Sequence, residues 1–186
     1  QVVADGRAQG HQRIDTALCD FSLQTDTQRL VRDLAARGRP IDVLVNNVGL
    51  LNHAHVITAE GREHSYTTNL LSHYVLTEGL IRAGAFRKER PLVINMTSGG
   101  GYNVALSTRA LNTLDPKKFN GTLAYGWHKR AQMVLNQHWR DTYGHAPEDF
   151  PVASAEFERS VSLPIFSAMT DDDVEKVVAT TAEILG

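Results

Sequence analysis

The sequence lacks the cysteine pairs, long apolar runs and basic runs that mark disulfide-rich, membrane and nucleic-acid-binding proteins. It contains a single cysteine, Cys19, so no disulfide can form within one chain. No apolar run approaches the ~18–20 residues that a membrane-spanning helix needs. Lys plus Arg number 19 against 21 Asp plus Glu, without a basic run, which argues against nucleic acid as a partner. We therefore expect a reducing, cytoplasmic location, with neither nucleic acid nor a membrane as partner.

What is present is an ordinary globular composition. The 186 residues are 42% hydrophobic and 22% charged, which suits one domain with a buried core and argues against disorder. Residues 1–7 carry no initiator Met, no basic start and no apolar signal segment. The expectation is a processed chain or a fragment without a secretory signal.

Short apolar runs alternate with amphipathic segments along most of the chain. The runs at 14–21, 41–45 and 92–96 predict strands, because apolar residues fill them and acidic or turn residues end them. Apolar residues at helical spacing predict helices over 25–37, 60–86 and 123–143. Strands that alternate with helices predict an α/β fold built on a doubly wound parallel sheet.

The character of the sequence changes after Gly144. Residues 145–151 contain two prolines and no period, which predicts an extended segment. Acidic residues at 171–173 and an apolar stripe behind them predict a C-terminal amphipathic helix from about Thr170. The interpretation is two domains: 1–144, with the sheet, and 145–186, an extended segment plus the C-terminal helix.

Tyr125 and Lys129 lie four residues apart on the predicted helix 123–143, which places both on one face. A phenol, whose pKa is ~10, becomes a useful acid or base near neutral pH when a nearby ammonium stabilises the phenolate. Taken alone, the pair is more typical of an ordinary half-exposed helix face, so both interpretations stay open at this point.

Small and polar residues follow the predicted strands. Ser98 comes after the strand 92–96 and precedes three glycines, the motif Asn46-Asn47-Val48-Gly49 ends the strand 41–45, and Asp20 ends the first strand. The carboxyl ends of parallel strands meet at one edge of the sheet, where doubly wound proteins bind ligands. The sequence therefore predicts a small-molecule site at this edge.

No metal site is predicted. His53 and His55 lie two residues apart, but no third ligand follows at a recognisable spacing. The acidic run 171–173 is explained by a helix N-terminus.

Together these residues resemble the short-chain dehydrogenase/reductase family. The motif at 46–49 is similar to that family's Asn-Asn-Ala-Gly, with Val48 in place of Ala. Asn69, Ser98, Tyr125 and Lys129 match, in order, the family's catalytic tetrad, and the long interval from Ser98 to Tyr125 resembles the retinol-dehydrogenase-like branch. The resemblance covers about residues 1–144 and implies a partial Rossmann-like fold.

The resemblance implies an oxidoreductase that transfers hydride between NAD or NADP and a carbonyl/alcohol substrate. Tyr125 would be the general acid/base, Ser98 would orient the substrate oxygen, Asn69 would position a water for proton relay, and Lys129 would hold the nicotinamide ribose. Since members of the family often pair through their helices, a homo-oligomer is one expected assembly. The residues expected at the cofactor are Asp20, Phe21, Asn47, Gly49, Tyr125 and Lys129.

Two features depart from that family's pattern. Its Thr-Gly-x-x-x-Gly-x-Gly turn does not occur ahead of Asp20, which predicts a truncated sheet whose strands ending at Asp20 and Asn46 either pair directly or leave exposed edges. Residues 148–186 instead resemble the C-terminus of sugar aminotransferases that use pyridoxal phosphate. The alternatives are an inactive fragment or chimera without catalysis, or the remnant of such an aminotransferase.

Overall fold

A computed structural model describes residues 15–88 and 91–143 of the chain. The chain divides into two compact units, 1–136 and 137–186, and only residues 137–143 of the second are described. The helices and strands, in chain order, are α1 Gln24–Ala36, β1 Val43–Asn46, α2 His64–Tyr66, a π-helical turn Thr67–Leu71, α3 Ser72–Arg82, β2 Leu92–Asn95 and α4 Gly121–Tyr143.

The two strands form a parallel pair in the register Val43↔Leu92 through Asn46↔Asn95. This register places two strand-terminal asparagines side by side, and Asn46 Nδ2 donates to Asn95 Oδ1 at 2.9 Å and to Thr77 Oγ1 of α3 at 3.0 Å. Parallel strands connected through helices confirm the predicted α/β class.

The three predicted helices are present, with shifted ends. Positive φ angles of 62° at Gly38 and Gly84 follow the ends of α1 and α3, and only glycine adopts that conformation without strain. The predicted helix 60–86 begins four residues late because the Glu63 carboxylate accepts hydrogen bonds from the main-chain N–H groups of Ser65 and Tyr66. This cap fixes the start of α2.

A distant carboxylate caps α1. Glu60 accepts hydrogen bonds from the main-chain N–H groups of Gln24 and Thr25, at 2.7 and 2.9 Å, and from the Thr25 hydroxyl at 2.7 Å. The hydrogen bonds from Thr25 and Gln24 lower the pKa of Glu60. A negative charge at the positive end of the α1 dipole stabilises the helix and ties it to the loop before α2.

The core lies between α1 and α3. Leu30 and Val31 of α1 pack with Leu76 and Leu80 of α3, and half-buried side chains such as Leu44 of β1 close the cluster. The burial of these apolar side chains is the main stabilising contribution to this part of the fold.

The strand predicted for 14–21 is wrong for the described residues, since 15–20 form no regular element. Local hydrogen bonds take the place of a strand ladder: Ser22 N–H donates to Asp20 Oδ1 at 2.9 Å, and Asp20 N–H donates to Asp26 Oδ2 at 2.7 Å. A carboxylate that binds nearby main-chain N–H groups favours a turn over a strand. These turns lead directly into α1.

Of the two arrangements predicted for the strands ending at Asp20 and Asn46, direct pairing is wrong for the described residues, because 15–20 form no strand. Within the described part of the chain, β1 pairs with β2 alone. Val43 and Val45 are each 51% exposed, because no described element covers that face of the sheet.

Three predictions concern residues outside the described ranges: the extended segment from 145, the helix from about Thr170 and the domain that they form. The boundary at 144 stays a prediction.

Candidate active site

The segment after β1 is fixed by an asparagine of the π-helical turn. Asn69 Oδ1 accepts from Leu50 N–H and Asn69 Nδ2 donates to Leu50 O, each at 2.8 Å. A Cβ added at Gly49 would lie 3.4 Å from Lys129 Nζ and 3.7 Å from Asn69 Oδ1. The structure thus brings three predicted site residues, Gly49, Asn69 and Lys129, to one place beyond the strand end.

Lys129 is a buried cation that contacts the end of β2. Lys129 is only 3% exposed, and this burial lowers the pKa of its ammonium. The ammonium donates to the carbonyl oxygen of Met96 at 2.6 Å and to Gln132 Oε1 at 3.3 Å. It also lies 5.7 Å from the centroid of the Tyr125 ring. The predicted pair therefore shares one helix face, and its lysine contacts the residue that follows β2.

Ser98 and Tyr125 both lie next to Gly100. Ser98 caps the short 3₁₀ turn Gly99–Tyr102, and its Oγ accepts from Gly100 N–H at 3.4 Å. A Cβ added at Gly100 would lie 3.7 Å from Tyr125 Cδ1 and 3.8 Å from Ser98 Oγ. The serine hydroxyl and the tyrosine ring therefore both lie close to Gly100.

Glycines allow that turn to approach α4 closely. A Cβ at Gly101 would lie 3.1 Å from Arg130 N and 3.2 Å from Lys129 C, and one at Gly126 would lie 3.0 Å from Gly100 O. From the sequence, the glycines at 99–101 were predicted only to follow the end of a strand, and Gly126 to lie in a helix. In the structure they also let the turn that follows Ser98 pack against the helix that carries Tyr125.

The predicted cofactor residues at the start of the chain make other contacts. Asp20 is exposed and holds the turn before α1, and Phe21 is half-buried against the cluster between α1 and α3. Asn47 is exposed directly after β1. These contacts of Asp20 and Phe21 do not involve Tyr125 or Lys129, so their part in cofactor binding stays a prediction.

Two buried residues of the site were missed from the sequence. Gln132 is fully buried, with Nε2 donating to the main-chain carbonyl of Asn69 and lying 2.9 Å from His73 Nδ1. Burial, and secondarily the charge on Lys129, lowers the pKa of His73 from 6.5 to about 4. Their spacing could have identified them from the sequence. Gln132 follows Lys129 by three residues and His73 follows Asn69 by four, and residues at these spacings share a helix face.

In residues 15–88 and 91–143, no three His, Cys, Asp or Glu side chains come together as a metal site. Within the same ranges, no helix has the length and apolar character required to cross a bilayer.

Parallel strands with helices between them define an α/β protein. The cluster of polar side chains lies beyond the strand ends, at the edge of the sheet where proteins of this class bind ligands. The sequence model of the short chain dehydrogenase family matches residues 1–110. The chain belongs to that family.

Its relatives are longer proteins. Dehydrogenase/reductase SDR family member 12 of Bos taurus is 35% identical over 138 residues, which are 72% of this chain and 41% of the relative. The chain thus spans about two fifths of that relative's length. A short chain dehydrogenase from Burkholderia cenocepacia J2315, solved in complex with NADP, matches with a TM-score of 0.57 at 19% identity, over 77% of this chain and 52% of that one. This likeness supports the Rossmann-like α/β fold.

A second family matches the C-terminal region. The model of the DegT/DnrJ/EryC1/StrS aminotransferase family matches residues 111–182. The spore coat polysaccharide biosynthesis protein SpsC of Bacillus subtilis is 31% identical over 51 residues, 27% of this chain and 13% of that protein. The predicted resemblance to aminotransferases is confirmed, and the matching range begins earlier than the predicted 148.

Proposed function

We propose that this chain carries the catalytic side chains of an oxidoreductase that transfers hydride between NAD(P)(H) and a small carbonyl or alcohol substrate. The observation that carries the proposal is the buried Lys129 ammonium beside the Tyr125 ring at the end of β2. Membership of the short chain dehydrogenase family supports the reaction class. The NADP bound to the Burkholderia relative supports a nicotinamide nucleotide as cofactor, with NAD and NADP both open.

Tyr125 is the proposed general acid/base. A phenol exchanges its proton with a substrate oxygen more readily when a fixed positive charge lies nearby. Lys129 supplies that charge from a position shielded from water, where electrostatic interactions are stronger than in solvent. Its hydrogen bonds to Met96 and Gln132 hold the ammonium in place, so little reorganisation is needed as charge develops.

Ser98 is the proposed orienting group. Its Oγ accepts from Gly100 N–H, which leaves the hydroxyl proton to be donated to a substrate oxygen. A substrate oxygen shared by Ser98 and Tyr125 would be held by one hydroxyl while the other transfers the proton. The proximity of both side chains to Gly100 supports this division of roles.

The residues beyond β1 fit the nicotinamide end of the cofactor. An ammonium has three donors, and Lys129 directs two of them to Met96 O and Gln132 Oε1, so one remains for a ribose hydroxyl. A side chain at Gly49 would fill the space 3.4 Å from Lys129 Nζ, whereas glycine keeps it open. When bound, the nucleotide supplies or accepts the hydride. Asn47 is a further proposed contact there, and Asp20 and Phe21 are the proposed contacts at the adenine end.

The test uses the full chain. NADH and NADPH are titrated separately, with nucleotide fluorescence as the readout, and oxidation is then followed with a panel of aldehydes and ketones. We expect Tyr125→Phe to bind nucleotide like the unaltered chain and to lose ~10²–10⁴-fold in turnover. Tyr102→Phe, at a residue 56% exposed, is the matched control and keeps its turnover.

Two outcomes contradict the proposal in different ways. Turnover that survives Tyr125→Phe removes the assigned role of Tyr125. Failure of the unaltered chain to bind either nucleotide at millimolar concentration favours an inactive fragment or chimera. Pyridoxal phosphate is added in parallel because residues 111–182 match an aminotransferase family, and new visible absorbance would favour that alternative.

The expected cytoplasmic location and the homo-oligomer remain part of the proposal. The expected location rests on the single cysteine, Cys19, whose thiol is free. Light scattering after size exclusion tests the assembly, and modification of Cys19 by a thiol reagent in intact cells tests its redox compartment.

A further inference from the structure

One buried carboxamide connects three parts of the site. Gln132 Oε1 lies 3.3 Å from the ammonium of Lys129, one turn earlier on α4. Its Nε2 donates to the main-chain carbonyl of Asn69 and lies 2.9 Å from His73 Nδ1 on α3. Gln132 is fully buried, so water does not compete for these contacts.

The direction of every hydrogen bond in this network is determined by its partners. An ammonium only donates, so the Gln132 atom that faces Lys129 must be the oxygen. The amide nitrogen then donates both to the Asn69 carbonyl, which only accepts, and to His73 Nδ1, which must be unprotonated. His73 is therefore neutral, in agreement with the low pKa that its burial produces.

We propose that Gln132 is a positioning residue. It holds the Lys129 ammonium near the Tyr125 ring and keeps the π-helical turn that carries Asn69 at a fixed distance from that ammonium. His73 fixes the orientation of the Gln132 amide. The catalytic consequence rests on the function proposed above. Both polar atoms of the Asn69 side chain bind the main chain of Leu50. Gln132 joins the main-chain carbonyl of Asn69 to the Lys129 ammonium.

Two variants of similar shape separate this role from simple core packing. Gln132→Met removes the acceptor that faces Lys129, so we expect the pKa of Lys129 to fall. Gln132→Glu places a negative charge there, so we expect that pKa to rise. Both are measured by NMR titration of the chain with ¹³C-labelled lysine, with Lys129→Arg to assign the signal. Gln137→Met, at an exposed position of the same helix, leaves the titration unchanged.

Turnover provides the second readout. Misplacement of the ammonium is expected to lower kcat on the order of 10²-fold in Gln132→Met, with a smaller change in the affinity for NADH. If the unaltered chain lacks turnover, the proposed function fails while the lysine titration still decides the role of Gln132. Shifts of the Lys129 pKa in the same direction in both variants, or no shift, would overturn the inference.

A measurement on the unaltered chain covers the case in which the variants do not fold. Long-range ¹H–¹⁵N NMR spectra report which ring nitrogen of His73 carries the proton. We expect the proton on Nε2 at neutral pH, with Nδ1 accepting from Gln132. A proton on Nδ1 would reverse the hydrogen bond and contradict the proposed orientation of the amide.

Discussion

The ammonium of Lys129 donates a hydrogen bond to the main-chain carbonyl of Met96 across 2.6 Å. This contact joins α4, which carries Tyr125, to the residue that directly follows β2. Met96 N–H in turn donates to Asn46 O at the end of β1, at 3.0 Å. The position of the cation is thus set by the ends of both strands, and a displacement of the segment after β2 is expected to change the site.

Substitution of Gly101 tests that expectation. In Gly101→Ala, the new Cβ would lie 3.1 Å from Arg130 N and 3.2 Å from Lys129 C, and main-chain atoms of a helix cannot move aside singly. We expect a loss of ~1–3 kcal/mol in the free energy of unfolding and reduced turnover, because the turn must move away from α4. Urea unfolding and NADH oxidation are the measurements.

The matched control is Gly99→Ala in the same turn, where a Cβ meets nothing within 4 Å. Equal effects of the two substitutions would contradict the close packing of Gly101 on α4.

A second prediction concerns the contact between α1 and α3. A Cβ at Gly79 would lie 2.8 and 2.9 Å from the two methyl carbons of Val31, closer than real Cβ atoms approach other atoms. Gly79→Ala is therefore expected to destabilise the fold by ~1–3 kcal/mol, although alanine is the better helix former by ~1 kcal/mol. Thermal and urea unfolding of the full chain measure the change.

The double variant Gly79→Ala with Val31→Ala provides the control, since it removes the clashing methyl groups. We expect it to be less destabilised than the sum of the two single variants. A stabilising effect of Gly79→Ala alone would mean that the two helices do not approach as described.

The third prediction concerns acid stability. The pKa of His73 is lowered from 6.5 to about 4, so between these values the unfolded chain binds the proton that the folded chain excludes. The contribution is fully present above pH 6.5 and is lost as the pH falls towards 4, by about 3 kcal/mol in total. Burial also lowers the pKa of His128, which adds a loss in the same direction.

Urea unfolding at several pH values between 4 and 7.5 measures this dependence. We expect His73→Phe to flatten the curve, and His53→Phe, at an exposed position of a loop, to leave its slope unchanged. A variant at His73 with an unaltered slope would show that this histidine does not titrate with folding.

Local patterns were sufficient for much of the fold. Apolar residues at helical spacing predicted α1 within one residue at each end, and the run at 41–45 predicted β1 because Pro40 and the asparagines limit it. The strand at 14–21 was wrong because a strand requires a hydrogen-bonded neighbour, whereas Asp20 satisfies nearby N–H groups by itself. The start of α2 required the Glu63 cap, which an apolar pattern does not reveal.

By itself, the sequence determined the α/β class and the family, and it predicted Asn69, Ser98, Tyr125 and Lys129 as catalytic residues, because spacing along one helix and order along one chain are local properties. Only the tertiary structure decided how these side chains are held. Contacts such as Gly101 against α4, and Gln132 between Lys129 and Asn69, join residues that lie far apart in sequence. Such contacts depend on the packing of whole elements, which no single segment encodes.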